Sequence, residues 1–470
     1  MRDLGIVAGE EKTGEFLQVV SGNKLLGWDE EAKEGGYSWA QCYGGFQFGA
    51  WAGQLGDGRA ISLFETTNPA TGTRYELQLK GAGLTPYSRP LTRQLATYLA
   101  EEVLGGWESL PGMLSTPEKP SENESASRGL DASEIEGEPG AEENRFARLY
   151  REVARLNAET VAKWQAYGFM NGVLNTDNTS VMGLSVDFGP FAFMDNFDPS
   201  YTPNHDDSLL RYSYKNQPTI IWWNLVRFGE ALGELIGAGA GVDDPVYVKE
   251  GVKSEQEAEL ISRAEKIITQ TGEEYKATFL REYKRLMSAR LGLKNYRDAD
   301  FDQLFSPLLD LMHEFELDFN QFFRRLSALP LSELETPEAR RDKAEDDARV
   351  KISEWLDRWR KRIIEDWGAG NAEAALPEDR DAQRTKAMKA VNPNFTPRGW
   401  VLDEVIRRVE KEGEREVLRR VMHMALNPFE DSWAGKEFEG VLYEGDAEEE
   451  ARWTGDVPEF VRALQCSCSS

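Results

Sequence analysis

Gly168-Phe-Met-Asn-Gly-Val-Leu-Asn-Thr-Asp-Asn178, followed nine residues later by Asp187-Phe-Gly-Pro190, is the stretch on which the reading of this sequence turns. It follows an amphipathic run in which Phe146, Leu149, Val153, Leu156, Thr160 and Trp164 recur at helical spacing. Between its two halves lie two short β-type runs, Ser180–Met182 and Leu184–Asp187, which predict a tight hairpin. The order is therefore helix, loop with Asp177 and Asn178, hairpin, then Asp187. Phosphoryl and nucleotidyl transfer need such a set: one carboxylate orients an attacking hydroxyl, while an amide oxygen and a second carboxylate hold Mg²⁺ against phosphates. Any single Asp here is better read as a turn or strand-end cap; the ordered trio favours chemistry. Protein kinases separate the corresponding Asp and Asn by several residues, so adjacency here makes the match to that signature partial.

The region before this helix offers a complementary half. Gly53-Gln-Leu-Gly-Asp-Gly-Arg59 is a Gly-rich turn entering a strand, and Leu77-Gln-Leu-Lys-Gly-Ala-Gly83 puts Lys80 at a strand end. Glycines let a backbone approach phosphate oxygens, and Lys and Arg supply charge. Ala60–Phe64 and Tyr75–Leu79 read as strands joined by the turn Thr67-Asn-Pro-Ala-Thr-Gly72, and a short helical piece runs from Leu91 to about Leu104.

Further along, Ser115–Glu143 is a Pro/Ser/Glu tract with few large apolar residues, which predicts a disordered surface insertion. From about Trp222 the chain reads as mainly helical. Ile352, Trp355, Trp359, Ile363 and Trp367 form one apolar stripe, and Asp300–Leu326 and Leu402–Leu426 read as two further helices. The sequence closes on a polar stretch, Cys466-Ser-Cys-Ser-Ser470.

Composition bounds the partners. The 470 residues carry 82 acidic against 55 basic side chains, a formal net charge of −27, which argues against nucleic-acid binding. Three Cys and three His (His205, His313, His423) show no zinc-ligand spacing. The longest apolar stretch, Ile220–Val226, is too short to span a bilayer, and Met1 to Glu11 has neither an apolar core nor the basic bias of a transit peptide. The expectation is a soluble intracellular protein.

Several longer strings resemble the selenoprotein O family. They are Gln41-Cys-Tyr-Gly-Gly-Phe-Gln-Phe-Gly49, Trp51-Ala-Gly-Gln-Leu-Gly-Asp-Gly-Arg-Ala-Ile61, Gln78-Leu-Lys-Gly-Ala-Gly83 with Thr85-Pro-Tyr-Ser-Arg89, Asn175-Thr-Asp-Asn178, Asp187-Phe-Gly-Pro190, Arg211-Tyr-Ser-Tyr-Lys-Asn-Gln-Pro218 and Val391-Asn-Pro393. The resemblance covers most of the chain. It implies an α+β, protein-kinase-like two-lobed fold with a truncated β-rich N-lobe and a large helical C-terminal part. It implies an enzyme that transfers AMP from ATP to Ser, Thr or Tyr hydroxyls of proteins, with ATP inverted relative to kinases. On this resemblance Asp177 is the catalytic base, Asn178 and Asp187 are the Mg²⁺ ligands, and Gly56, Gly58, Arg59, Lys80 and Asp187 contact the nucleotide. Cys466 and Cys468 fall where the family often carries a redox-active Cys or selenocysteine. The implied organisation is a partial N-lobe at 1–104, an acidic disordered insertion at 105–145, a catalytic core at 146–235, a helical region at 236–465 and a Cys-containing tail at 466–470. The family's frequent address in eukaryotes implies a mitochondrial location, with the cytoplasm as the alternative.

The departures are local. After Arg89 the chain runs directly into Pro90-Leu-Thr-Arg-Gln-Leu95, which resembles a much later family segment. The helix Glu that pairs with the family's lysine, an Asp-Gly turn and the phosphate-binding arginines have no counterpart, and Phe46 stands where the family usually has His. The expectation is a lost internal segment and impaired ATP binding, with a catalytically silent binding protein as the competing reading.

Overall fold

The computed structural model describes residues 6–7, 9–21, 39–40, 44–54, 60–80, 92–110, 143–253, 255–332, 334, 347–368, 376–438, 440–445 and 447–466. The expected disordered tract lies outside them except for Glu143. The fold is a mixed α+β one, mainly helical with small antiparallel sheets. The chain divides into two units, Met1–Leu95 with Asn175–Asp177, and Ala96–Leu174 with Asn178–Ser470.

The first unit holds helix α1 (Gly14–Val20), capped by the Thr13 hydroxyl, which accepts from the Phe16 N–H at 3.0 Å. Strands β4 (Ala60–Thr67) and β5 (Arg74–Lys80) form the expected hairpin, with β1 (Trp39–Ala40) on the far side of β4. Asn68 closes its turn, its Oδ1 accepting from Ala70 N at 2.9 Å. A second hairpin joins β2 (Gly44–Gln47) to β3 (Ala50–Gln54) through Phe48 and Gly49, both at positive φ, the conformation that two-residue hairpin loops require.

Helix α2 (Thr92–Tyr98) begins in the first unit and continues into the second, where it widens into a π turn over Leu99–Val103, and Ala96 and Ala100 pack in the core against the next helix. That helix, α3 (Arg145–Tyr167), starts at Asn144, whose Oδ1 accepts from Phe146 N at 2.9 Å, and stops at Gly168 with φ 69°. Its apolar face meets α4 (Gln217–Ala231), α5 (Gly233–Gly237) and the long helix α7 (Glu257–Arg290); α6 (Pro245–Glu250) precedes α7. The buried Arg151 guanidinium binds Glu274 at 2.9 Å and also Glu143, so the charge enters the core with its partners.

A second core gathers Met194, Phe305, Phe319 and Phe323 with the tryptophans of the helix Asp347–Trp367. Four of the five residues of the expected stripe are buried there, Ile352 being half-buried, with Trp355 and Trp359 stacked at 10° and 6.4 Å between centroids. A third, smaller core gathers Trp400, Val417, Trp433 and Trp453.

Three expectations are corrected. Asp300–Leu326 is not one helix: Ser306–Glu314 and Phe319–Ala328 are separated by a turn at Glu316, φ 48°. Leu402–Leu426 is likewise Gly399–Glu412 and Glu416–Leu426, broken at Gly413, φ 72°. The hairpin predicted at 180–187 is a turn with one isolated bridge, Thr179 to Ser185. Its backbone oxygens go instead to α3: Asn157 Nδ2 donates to Ser180 O at 2.9 Å, and the Thr160 hydroxyl to Gly183 O. Gly183 approaches α3 so closely that a Cβ there would lie 2.7 Å from Leu156 O.

Candidate functional site

The loop after α3 is held by side-chain amides. Strand β6 (Phe169–Met170) pairs with β7 (Ala192–Phe193), bringing the two ends of the 171–191 segment together. Asn171 Nδ2 donates to Val186 O at 2.8 Å, and the Gln217 amide accepts from Asn171 N and donates to Phe169 O. Asn204 Nδ2 donates to Gly172 O at 2.9 Å, and Asn224 Nδ2 donates to Leu174 O at 3.0 Å and Thr179 Oγ1 at 2.8 Å. Asn171, Asn204, Gln217 and Asn224 are all buried. Gly172 has φ 79°, and a Cβ there would lie 2.6 Å from Pro190 O, so only glycine fits.

Within this frame Asn178 and Asp187 meet. Asn178 Nδ2 donates to Val173 O and to Asp187 Oδ2, each at 3.0 Å. With the amide nitrogen engaged on both sides, the Asn178 oxygen and the Asp187 carboxylate are the groups left to bind a ligand. Asp187 is exposed and sits at φ 57°, a conformation that a non-glycine residue adopts at some cost and that is common where function requires it. Asp177 immediately precedes Asn178 in the turn Thr176–Asn178 and is half-buried.

Asn175–Asp177 belong to the first unit. Thr176 Oγ1 accepts from Phe46 N at 2.8 Å and Asn175 Oδ1 from Phe48 N at 3.3 Å, tying the β2–β3 hairpin to Asn175–Asp177. Gly45 is obligatory here, since a Cβ would fall 2.2 Å from Thr176 Oγ1. Phe46 contributes its backbone N–H to this contact and packs edge-on against Trp51 at 5.1 Å.

Of the remaining sequence candidates, Lys80 ends β5 opposite Ala60, while Gly56, Gly58, Arg59 and Cys468 lie outside the described residues. Cys466 is bonded to the loop beyond Asp187: its N–H donates to Pro203 O and its O accepts from His205 N, both at 3.0 Å. Its thiol lies 3.8 Å from Gly189 O, and burial pushes its pKa up. Nearby, Gln465 Nε2 donates to Thr202 O at 2.7 Å and Ala463 N to Asp195 Oδ2 at 3.1 Å.

The donor set suits a hard cation. Mg²⁺ binds oxygen, commonly with one or two carboxylates and the rest of its shell from substrate phosphates and water. An amide oxygen beside a carboxylate meets that description. Among the described residues no group of three or more His, Cys, Asp and Glu gathers, so a site closed by protein ligands alone is not formed there. Among them, too, no helix is long and apolar enough to cross a membrane.

The positioning amides were not singled out from the sequence. Gln217 lies in the string Arg211–Pro218 and Asn171 in the opening stretch, so both were inside recognised segments; Asn224, within a helix, carries no local signal.

An amide–carboxylate pair on an amide-braced loop after a long helix, with an Asp next to it in the chain, is the kind of oxygen donor set that a phosphate-handling protein uses. Comparison with known proteins gives that class a family. The family model for protein adenylyltransferase SelO matches residues 1–94 and 133–426. The chain is 38% identical to the protein adenylyltransferase SelO, mitochondrial, of Schizosaccharomyces pombe, over all of this chain and 88% of that protein. It is 29% identical to the protein of the same name in Saccharomyces cerevisiae, over 88% of this chain and 81% of that one. It is also 32% identical to the protein nucleotidyltransferase YdiU of Paraburkholderia xenovorans, over 99% and 88%. The chain belongs to the protein adenylyltransferase SelO family, a family of nucleotidyltransferase enzymes.

Proposed function

We propose that this chain transfers AMP from ATP to Ser, Thr or Tyr hydroxyls of protein substrates, in a kinase-like two-lobed arrangement and with Mg²⁺. The observation that carries the proposal is the Asn178–Asp187 hydrogen bond, which presents one amide and one carboxylate oxygen beside Asp177. The substrate hydroxyl oxygen attacks the α-phosphorus, the bond from that phosphorus to the bridging oxygen breaks, and pyrophosphate leaves. Asp177 accepts the hydroxyl proton as the new P–O bond forms. Asn178 and Asp187 would hold Mg²⁺, which supplies charge neutralisation at the phosphates when bound. On the family resemblance Gly56, Gly58, Arg59 and Lys80 would complete the nucleotide contacts, glycine backbone and cationic side chains being groups that bind phosphate oxygens.

The names of the two yeast relatives support a mitochondrial location. A redox role for Cys466 and Cys468 rests on family resemblance alone. The raised Cys466 pKa reduces the thiolate fraction on which such chemistry depends.

A second reading, a nucleotide-impaired binding protein, is favoured by one observation. The S. pombe alignment spans 529 positions against 470 residues, so that relative carries sequence for which this chain has no counterpart. Incubation with ATP labelled at the α-phosphate, followed by mass spectrometry of candidate proteins, tests the proposal. AMP-modified hydroxyl side chains support transfer. Label retained on no protein, under conditions in which a relative labels its substrates, leaves the binding-protein reading. Phosphorylated rather than AMP-modified side chains in the same spectra, with the label left on ADP, would instead make the chain a kinase.

A further inference from the structure

Helices α4 and α5 and the first turns of α7 enclose a groove of about 870 Å³ that no described residue of the 171–191 segment lines. Its floor is apolar: Val226, Leu260, Ala264 and Ile268 line it, and Ile261 adds a side chain that is 45% exposed. Its rim is acidic, with Glu230, Glu234, Glu250, Glu257 and Glu265 all lining it, and no Lys or Arg among the described lining residues. Glu230 is paired with Arg227 at 2.8 Å, whereas Arg263 turns to Gly237 O and Glu259. Among the described residues, the carboxylates of Glu234, Glu250, Glu257 and Glu265 make no ion pair.

Folding alone does not account for this combination. Helix surfaces normally offset acidic side chains with Lys or Arg three or four residues away, as Glu259 and Arg263 do here. A partly exposed apolar floor with four unpaired carboxylates and one paired one on its rim is complementary to one kind of ligand: an amphipathic helix with an aliphatic face and a basic face. Such a helix seats its apolar side in a groove between helices while its lysines and arginines reach the rim. The walls are helices and one short loop, so the groove offers no strand edge to pair with an extended peptide. A second copy of this chain is disfavoured by a net charge of −27 on each partner.

We propose that this groove docks a basic amphipathic helix carried by protein substrates, a partner assignment that rests on the reading of the chain as a protein-modifying enzyme. Docking there would raise the local concentration of the acceptor without contributing to the chemistry.

The test is fluorescence anisotropy on the full chain, with a labelled 15-residue Leu/Lys peptide whose leucines recur at helical spacing. A peptide of the same composition in scrambled order serves as its control. Tight, salt-sensitive binding of the amphipathic peptide alone is expected. The pair Glu234→Gln and Glu265→Gln should weaken it about three- to tenfold, the span for two partly exposed ion pairs. Ile261→Gln should weaken it as well. Asp403→Asn with Glu410→Gln, which removes the same charge elsewhere, should leave it unchanged. Equal weakening by both charge pairs, or equal binding of the scrambled peptide, would overturn the proposal in favour of general attraction to an acidic protein. Displacement of the peptide by micromolar Ca²⁺ would overturn it in favour of a cation site. The readout needs no ATP: binding without AMP transfer counts against the enzymatic reading, and transfer without binding counts against the groove.

Discussion

Asn178 Nδ2 donates to Asp187 Oδ2 at 3.0 Å, joining two residues that stand on opposite sides of an irregular turn. One residue orients the other: the bond fixes which Asn178 atom is left for a ligand, and it holds Asp187 at positive φ. The arrangement behaves as one unit, so a change at either position disturbs both.

For that reason Asp187→Ala should abolish Mg²⁺-dependent ATP binding, while Asp302→Asn, an exposed acid elsewhere, should leave it intact. Isothermal calorimetry with ATP in the presence and absence of Mg²⁺ separates the two. Equal heats from both variants would remove Asp187 from the metal assignment.

Asp177→Ala has a different expected signature. A general base acts on the proton in flight, so nucleotide affinity should hold while AMP transfer slows about 10²- to 10⁴-fold. The paired measurement is ATP affinity and single-turnover transfer on the same preparation. Unchanged transfer would make Asp177 a turn residue only.

Stability should vary with pH through Asp195. Burial pushes its carboxyl up to about 6, more than the opposing attraction of Arg398 lowers it, with Asp318 adding repulsion and Arg462 and the Ala463 N–H adding support. The native state therefore holds this proton more tightly than the unfolded chain does. The stabilisation is fully present below the ordinary carboxyl value of 3.8 and is lost as pH rises through about 6. Asp195→Asn keeps an acceptor for Ala463 N and carries no charge. It should raise stability at pH 7 to 8 by on the order of 2 kcal/mol and flatten this part of the pH profile. Thermal melts from pH 4 to 8 read the difference; identical profiles would show that Asp195 titrates as an ordinary carboxyl.

Trp359→Ala should be severe. The indole is fully buried, stacks on Trp355, and donates to Leu291 O at 2.8 Å. Its removal leaves a cavity and an unpaired carbonyl, costing about 3–5 kcal/mol in urea unfolding. A loss under 1 kcal/mol would mean that the core repacks around it.

What the sequence made legible follows the reach of each signal. The Trp355–Trp367 stripe was readable because a 3.6-residue period encodes its buried face directly. The break at Gly413 was also written locally, as a glycine after Lys411 and Glu412, but the apolar period on either side masked it. The break at Glu316 had no local mark. It is imposed from outside, where Phe197 N donates to Leu317 O and Phe319 N to Asp195 O, each at 2.9 Å. The 180–187 segment looks like a hairpin because its residues favour strands. Asn157 and Thr160 of α3 take the carbonyls that a ladder would use, and no propensity scale sees a neighbour more than twenty residues away. In the candidate site, the residue types bearing chemistry were legible from their order, whereas the amides that hold them, Asn204 and Asn224 above all, became visible only through contacts distant in sequence.

The bonds between residues 463–466 and the 195–205 loop carry a consequence for timing. Tyr201 and Leu464, and likewise Thr202 and Gln465, are joined across 263 residues of chain. During synthesis the loop leaves the ribosome long before its partner exists. At about 5–20 residues per second the delay is on the order of ten seconds or more. For that interval the segment beyond Asp187 has unpaired backbone groups, and the region around the site is assembled late by construction, well after α3 and the amides that brace it have been made.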